Sequence, residues 1–216
     1  YASMKAGKWE KKKFEGVELW DKTLGVVGLG AIGGVVASRC AALGMKVLAY
    51  DPFISVEKAR ALGVELADLP TIWKRADFIT VHTPKTKETA NLINTATIAQ
   101  MKDGVRIINC ARGGIVNEQD LYEALKSGKV GAAAFDVFEK EPVSPDNPLL
   151  GLDAFICTPH LGASTEEAQA AVAIGIAEQL AAYLTRGEVR NAINVPSMSK
   201  EARERFGPYL KLCEKL

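Results

Sequence analysis

A glycine turn constrains this chain more than any other feature. The apolar run Leu24-Gly25-Val26-Val27 breaks into Gly28-Leu29-Gly30-Ala31-Ile32-Gly33, a G-x-G-x-x-G pattern, and Asp51 stands eighteen residues past its last glycine. Gly28 permits a tight turn out of a strand, Gly30 removes the side chain that would block a pyrophosphate, and Gly33 lets the following helix pack close on a sheet. The helix start then directs free N–H groups and the positive end of its dipole at phosphates. Asp51 can accept hydrogen bonds from a ribose 2′-hydroxyl and would repel a 2′-phosphate, so the pattern indicates NAD rather than NADP.

The 216 residues suffice for one large domain, or one domain with an appendage, around a sizeable core. A formal net charge of +1 argues against broad electrostatic binding to nucleic acid or membrane. Segment 24–44 carries only Arg39 as a charge, yet its six glycines and the break at Gly28 make it a buried strand, turn and helix rather than a membrane span. Cys40, Cys110, Cys157 and Cys213 are scattered without a C-x-x-C pair. They are expected to be small buried residues of a reducing compartment, not disulfide partners or metal ligands. The chain opens without a charged-then-apolar signal segment, so a cytoplasmic location is expected, and its start at Tyr1 hints at sequence upstream. Segment 1–14 interleaves Lys5, Lys8, Lys11, Lys12 and Lys13 with Trp9 and Phe14. It is expected to be a solvated connector with both aromatics docked on a neighbour.

After the glycine turn, apolar runs at 46–50, 64–66, 77–81, 105–109, 132–137 and 154–157 alternate with helical patterns. Such alternation implies an α/β fold, a doubly wound parallel sheet of about seven strands with helices on both faces. Asn117 opens a helix with Leu121, Ala124 and Leu125 on one face, closed by Gly128. A capping box at Ser164-Thr165-Glu166-Glu167 starts a long alanine-rich helix whose Ala168, Ala171, Val172, Gly175, Leu180 and Leu184 suit close packing, with Gly187 as its stop. Beyond it, 189–196 reads as extended and 200–216 as helical.

Ligands of a doubly wound sheet bind outside the carboxyl ends of its strands. Gly28 follows the first strand, Asp51 the second, His82-Thr83-Pro84 the fourth and Cys110-Ala111-Arg112-Gly113-Gly114 the fifth; Asp136 lies in the end of the sixth, and Pro159-His160 follows the seventh. Three of the groups placed near these ends can run chemistry together. Arg112, on a glycine-bounded turn, offers a fixed fork of donors for a carboxylate or carbonyl. His160 can give and take a proton at working pH, and the Glu141 carboxylate, ahead of Pro142, is the candidate to fix its ring and favour its protonated form. His82 is the rival acid, although Thr83 and Pro84 point to a backbone turn against the cofactor. No motif for metal ligands, a nucleophile elbow or a P-loop appears.

These motifs resemble the D-2-hydroxyacid dehydrogenase family over residues 16–196. The resemblance rests on the glycine turn, Val81-His82-Thr83-Pro84, Asn109-Cys110-Ala111-Arg112-Gly113-Gly114, Ala134-Phe135-Asp136-Val137-Phe138 with Glu141-Pro142, and Thr158-Pro159-His160-Leu161-Gly162-Ala163-Ser164-Thr165. The last run and the tail 203–216 favour the branch that oxidises D-3-phosphoglycerate to 3-phosphohydroxypyruvate in serine biosynthesis. Glyoxylate or hydroxypyruvate reductases, D-lactate dehydrogenases of the same family, and a non-catalytic NAD-sensing module are the alternatives.

By this resemblance Arg112 binds the substrate carboxylate and carbonyl, His160 is the acid/base and Glu141 raises its pKa. The cofactor is implied to meet Gly28, Gly30, Gly33 and the Ala31 and Ile32 amides at its pyrophosphate and Asp51 at its adenine ribose. Thr83, Cys110, Ala111, Arg112, Asp136, His160, Gly162 and Ala163 are implied to lie about its nicotinamide. The family also carries an upstream lobe that makes most of its substrate domain. Residues 1–15 are thus expected to be a connector from that lobe, 16–187 the NAD-binding domain, and 188–216 a return segment and the start of a C-terminal extension. The family's dimers associate through the cofactor domain, which implies a homodimer or higher homo-oligomer.

Overall fold

In a computed structural model, which describes residues 2–193, 205–207 and 209, the apolar runs become the strands of one parallel sheet. A short helix α1 (Ala2–Lys5) and a 3-10 turn (Lys11–Phe14) lead to β1 (Thr23–Val27) and α2 (Ala31–Ala42). Then follow β2 (Lys46–Tyr50), α3 (Val56–Ala61), β3 (Glu65–Leu66), α4 (Leu69–Arg75), β4 (Phe78–Val81) and α5 (Thr95–Ile98). The sheet is completed by β5 (Val105–Asn109), α6 (Glu118–Lys126), β6 (Val130–Phe135) and β7 (Phe155–Cys157). By internal contacts the chain divides into two units, Tyr1–Gly162 and Ala163–Leu216; helix α7 (Glu166–Arg186) makes up most of the described part of the second.

The strand order is β3-β2-β1-β4-β5-β6-β7, all parallel. The chain therefore reverses its direction of travel across the sheet between β1 and β4, and that switch point is where a doubly wound fold leaves a crevice at its carboxyl edge. Parallel strands covered on both faces need apolar residues in both registers. Successive residues of β1 supply them: Val26 belongs to one buried cluster with Leu24, Ala37, Val47 and Ala49, while Val27 belongs to the other with Leu48, Ile72, Ile79 and Ile107.

Local chemistry explains the helix ends. The Asn117 side chain accepts from the Asp120 N–H, Gly128 takes φ +77°, and Leu121, Ala124 and Leu125 face the core as the periodicity implied. For α7 the cap is Thr165 rather than Ser164: its backbone is extended and its hydroxyl accepts from the Ala168 N–H, so the expected box does not form. Gly187 ends that helix in the left-handed region.

Three expectations fail on burial. Ala171, Val172, Leu180 and Leu184 of α7 are exposed, as are Trp9 and Phe14; periodicity decides which residues share a face, not what covers it. Cys110 and Cys157 are exposed and Cys40 half-buried, because the first two stand at the carboxyl ends of β5 and β7, where the sheet edge opens. Cys213 and nearly all of 194–216 lie outside the described residues, while 189–193 forms no strand. Strand β6 sits two positions earlier than its pattern suggested, since Val130 pairs with Val105 through a register shift, and Asp136 follows the strand instead of ending it. No described helix is long and apolar enough to cross a membrane.

Candidate active site

Each glycine of the turn does a different steric job. Gly28 has φ +97°, donates its N–H to the Tyr50 carbonyl at 2.8 Å, and would bring a Cβ to 2.8 Å from the His82 carbonyl oxygen. A Cβ on Gly33 would collide with the Gly28 carbonyl, so α2 can start here only without one. Gly30 differs: a Cβ there meets nothing within 4 Å among the described residues, so it keeps open a space that they leave unfilled. Gly30 is also the N-cap of α2 and offers no side chain to its first turn, where Ala31 and Ile32 stand; the orphan donors there suit an anion.

Asp51, just past β2, closes the turn from the other side. Its Oδ2 accepts from the Leu29 N–H at 2.7 Å and its Oδ1 from the Phe53 N–H at 2.8 Å. Each carboxylate oxygen keeps a further lone pair for a hydroxyl donor.

A cavity of about 420 Å³ opens beside the turn, lined by Ile32, His82, Thr83, Cys110, Ala111 and Arg112, together with Pro84 and Lys85. Among the described residues the buried Thr83 Oγ1 has no hydrogen-bond partner, a costly state that a polar ligand would relieve. Open space at Gly30, uncapped donors at the start of α2 and this orphan hydroxyl together fit a dinucleotide.

Arg112 is exposed on the turn after β5, and its Nη1 donates to the Ala111 carbonyl at 2.6 Å. Fully buried Asn109 shapes that turn, its Nδ2 donating to the Arg112 carbonyl at 3.0 Å and its Oδ1 accepting from the Ala111 N–H at 3.1 Å. Gly113 lies directly against the Phe138 carbonyl, leaving no room for a Cβ. Two loops from neighbouring strands thus touch backbone to backbone.

The second of those loops holds Glu141. Its Oε1 accepts from the Phe138 N–H at 2.9 Å and its Oε2 pairs with His160 Nδ1 at 2.7 Å. The His160 hydrogen bond, then the Phe138 N–H, hold the Glu141 carboxyl below the usual carboxylate range, so it stays ionised at neutral pH and fixes the ring through Nδ1, leaving Nε2 for another partner. Phe138 is anchored in an aromatic cluster with Phe135 and Phe155, and Glu118 secures the loop by accepting from the Glu139 N–H and the Asn147 amide.

His160 itself has φ +55°, a region uncommon for non-glycine residues although histidine is among those enriched there. Asp136 organises this bend. Its Oδ1 accepts from the Thr158 hydroxyl at 2.5 Å and the Leu161 N–H at 2.8 Å, and its Oδ2 from the Gly162 N–H at 3.0 Å. Burial would push the Asp136 carboxyl up, but the Thr158 hydroxyl and these two amides outweigh it and hold the group below its ordinary value.

His82 sits differently from His160. Its Nε2 meets the Thr80 hydroxyl at 3.0 Å, its backbone carbonyl backs Gly28, and burial alone pushes its pKa down. A histidine kept neutral by the fold costs stability once the unfolded chain can bind a proton. Stability should fall as pH drops from about 6.5, the unfolded value, toward the lower folded value. Urea unfolding at pH 7.5 and 5 should show a smaller acid loss for His82→Gln than for the parent; equal losses would refute this.

The first unit therefore brings Gly28, Gly30, Ala31, Ile32, Gly33, Asp51, Thr83, Cys110, Ala111, Arg112, Asp136, His160 and Gly162 to the carboxyl edge of one sheet. Arg112 and His160 line separate cavities, His160 sharing one of about 550 Å³ with Asp136, Glu141 and Cys157. Ala163 opens the second unit. Sequence reasoning missed Asn109, whose signal was a polar residue ending an apolar strand, and Thr158, whose position before Pro159 gave none.

Comparison with known proteins agrees with this geometry. Residues 1–162 match the family model described as the NAD binding domain of D-isomer specific 2-hydroxyacid dehydrogenases. A D-3-phosphoglycerate dehydrogenase of Archaeoglobus fulgidus is 56% identical over 214 residues, a match that takes in 99% of this chain and 41% of that protein. Among solved structures, a glyoxylate reductase from Paecilomyes thermophila superposes with a TM-score of 0.82 at 30% identity, covering 89% of this chain and 58% of that one. An NAD-dependent formate dehydrogenase from Staphylococcus aureus in complex with NAD gives 0.79 at 30% identity, covering 88% and 57%.

Proposed function

The chain belongs to the D-isomer specific 2-hydroxyacid dehydrogenase family through its NAD-binding domain, and from that premise we propose that it forms the cofactor side of an active site oxidising D-3-phosphoglycerate to 3-phosphohydroxypyruvate. The chain spans 41% of the length of the Archaeoglobus relative, so the activity is proposed for the complete protein. In it, residues 16–187 serve as the cofactor domain, 1–15 connect to a substrate lobe, and 188–216 return toward it.

The observation that carries the proposal is the 2.7 Å pair between His160 Nδ1 and Glu141 Oε2 at the same sheet edge as the glycine turn. An NAD sensor would need the turn but not the pair. Bound NAD supplies the acceptor for a hydride. The Gly30 space and the first turn of α2 would hold its pyrophosphate, Asp51 its adenine ribose, and the Thr83 hydroxyl and Cys110 its nicotinamide end. Arg112 would grip the substrate carboxylate with its planar fork of donors. His160 Nε2 would take the proton of the substrate hydroxyl as the hydride leaves the same carbon, and ionised Glu141 would offset the charge the ring acquires. The product is a 2-oxo acid, and the reverse reaction uses the same groups. Exposed free thiols at Cys110 and Cys157 suit a reducing, cytoplasmic setting, and the family resemblance favours a homodimer or higher homo-oligomer.

The complete protein should form NADH most efficiently with D-3-phosphoglycerate among a panel of 2-hydroxy acids, measured as kcat/KM. A greater efficiency with D-lactate or glycolate would overturn the substrate. NADP supporting rates comparable to NAD would overturn the role of Asp51.

A further inference from the structure

The loop after β4 holds a second cation that the reaction above does not use. The Thr89 hydroxyl donates to the Pro84 carbonyl at 2.6 Å, and the Thr86 N–H donates to the same Thr89 oxygen at 2.7 Å. The backbone on both sides of Lys85 is therefore clamped. Its side chain lies across Gly114: a Cβ there would come within 2.5 Å of Lys85 Nζ and 2.9 Å of its Cε, and Gly114 takes φ +77°. Lys85 is thus seated on the same Gly113-Gly114 turn that presents Arg112, and both cations line the 420 Å³ cavity.

Among the described residues neither cation has a carboxylate partner; the salt bridges formed elsewhere leave Lys85 and Arg112 out. Two like charges sharing one cavity repel, and an anion between them removes that cost. Arg112 alone is enough for a carboxylate, and the uncapped start of α2 already serves a diphosphate. A second anionic group on the substrate is what remains for the ammonium.

We propose that Lys85 holds the phosphate of the substrate while Arg112 holds its carboxylate, so that Lys85 sets the preference for a phosphorylated 2-hydroxy acid. The inference rests on the substrate reading given above. Lysine suits the task as a compact charge with three donors, placed here by a fixed loop rather than a free one.

The test compares D-3-phosphoglycerate with D-glycerate, the same acid without its phosphate, in the complete enzyme and in Lys85→Met and Lys85→Arg, with the KM for NAD measured in each. In Lys85→Met the ratio of the two kcat/KM values should fall by about 10- to 100-fold, the worth of one hydrogen bond to a charged group, and Lys85→Arg should restore most of it. An unchanged ratio overturns the assignment. So does an equal loss on both acids with a raised KM for NAD, which would give the ammonium to the cofactor's diphosphate. A parent enzyme without preference for the phosphorylated acid refutes the substrate reading as well, whereas a strong preference that survives Lys85→Met refutes only the role of Lys85.

Discussion

Replacing His160 with asparagine in the complete enzyme should lower kcat by about 10²- to 10⁴-fold, the usual contribution of a positioned acid/base. Asparagine is chosen because the site has φ +55°, where alanine would add backbone strain and asparagine fits readily. The variant should therefore melt within a few degrees of the parent, separating lost chemistry from lost structure. Near-parental turnover would mean that His160 does not transfer the proton. The His160–Glu141 pair would then have no catalytic role, and the case for an enzyme over a sensor would fall with it.

The second and third glycines of the turn should separate equally sharply. Gly33→Ala drives a methyl group into the Gly28 carbonyl, so α2 must shift. Overpacking of this kind typically costs about 1–3 kcal/mol, and both the melting temperature and NAD binding should fall. The Cβ of Gly30→Val meets no described protein atom within 4 Å beyond its chain neighbours, and the variant should leave the melting temperature nearly untouched. Its side chain occupies the pyrophosphate's place and denies it charge-assisted contacts worth about 1.5–3 kcal/mol each. Affinity for NAD, measured by calorimetry on this chain, should fall by about 100-fold or more. A Gly30→Val protein that binds NAD like its parent would show that the pyrophosphate does not lie there.

Much of this site was legible in the sequence because its parts are backbone devices. Strand, glycine turn and helix follow one another within a few residues, so the positive φ of Gly28 and the clash that requires Gly33 are local and can be read directly. The strand ends were legible for the same reason, since alternation locates them and the fold places them along one edge. Packing was less legible. The exposed stripe of α7 and the exposure of Cys110 and Cys157 depend on what lies opposite, which no local pattern records. Asp136 shows the intermediate case: its placement near a strand end was readable, but its three hydrogen bonds to the Thr158–Gly162 bend arise from a loop more than twenty residues away. Lys85 was invisible, because its importance comes from Gly114 beneath it and not from its neighbours in the chain.

The bare contact between Gly113 and the Phe138 carbonyl has a mechanical meaning. Side chains can change rotamer, but two backbones in direct contact have no such freedom. The arm bearing Arg112 and the arm bearing Glu141, with His160 paired to it, are held like the fixed jaw of a caliper whose gap is set at one point without a spacer. In the proposed reaction a substrate gripped by its carboxylate would then be presented to the imidazole at a preset span. A closing motion of the complete protein would then be expected to bring another part toward this jaw.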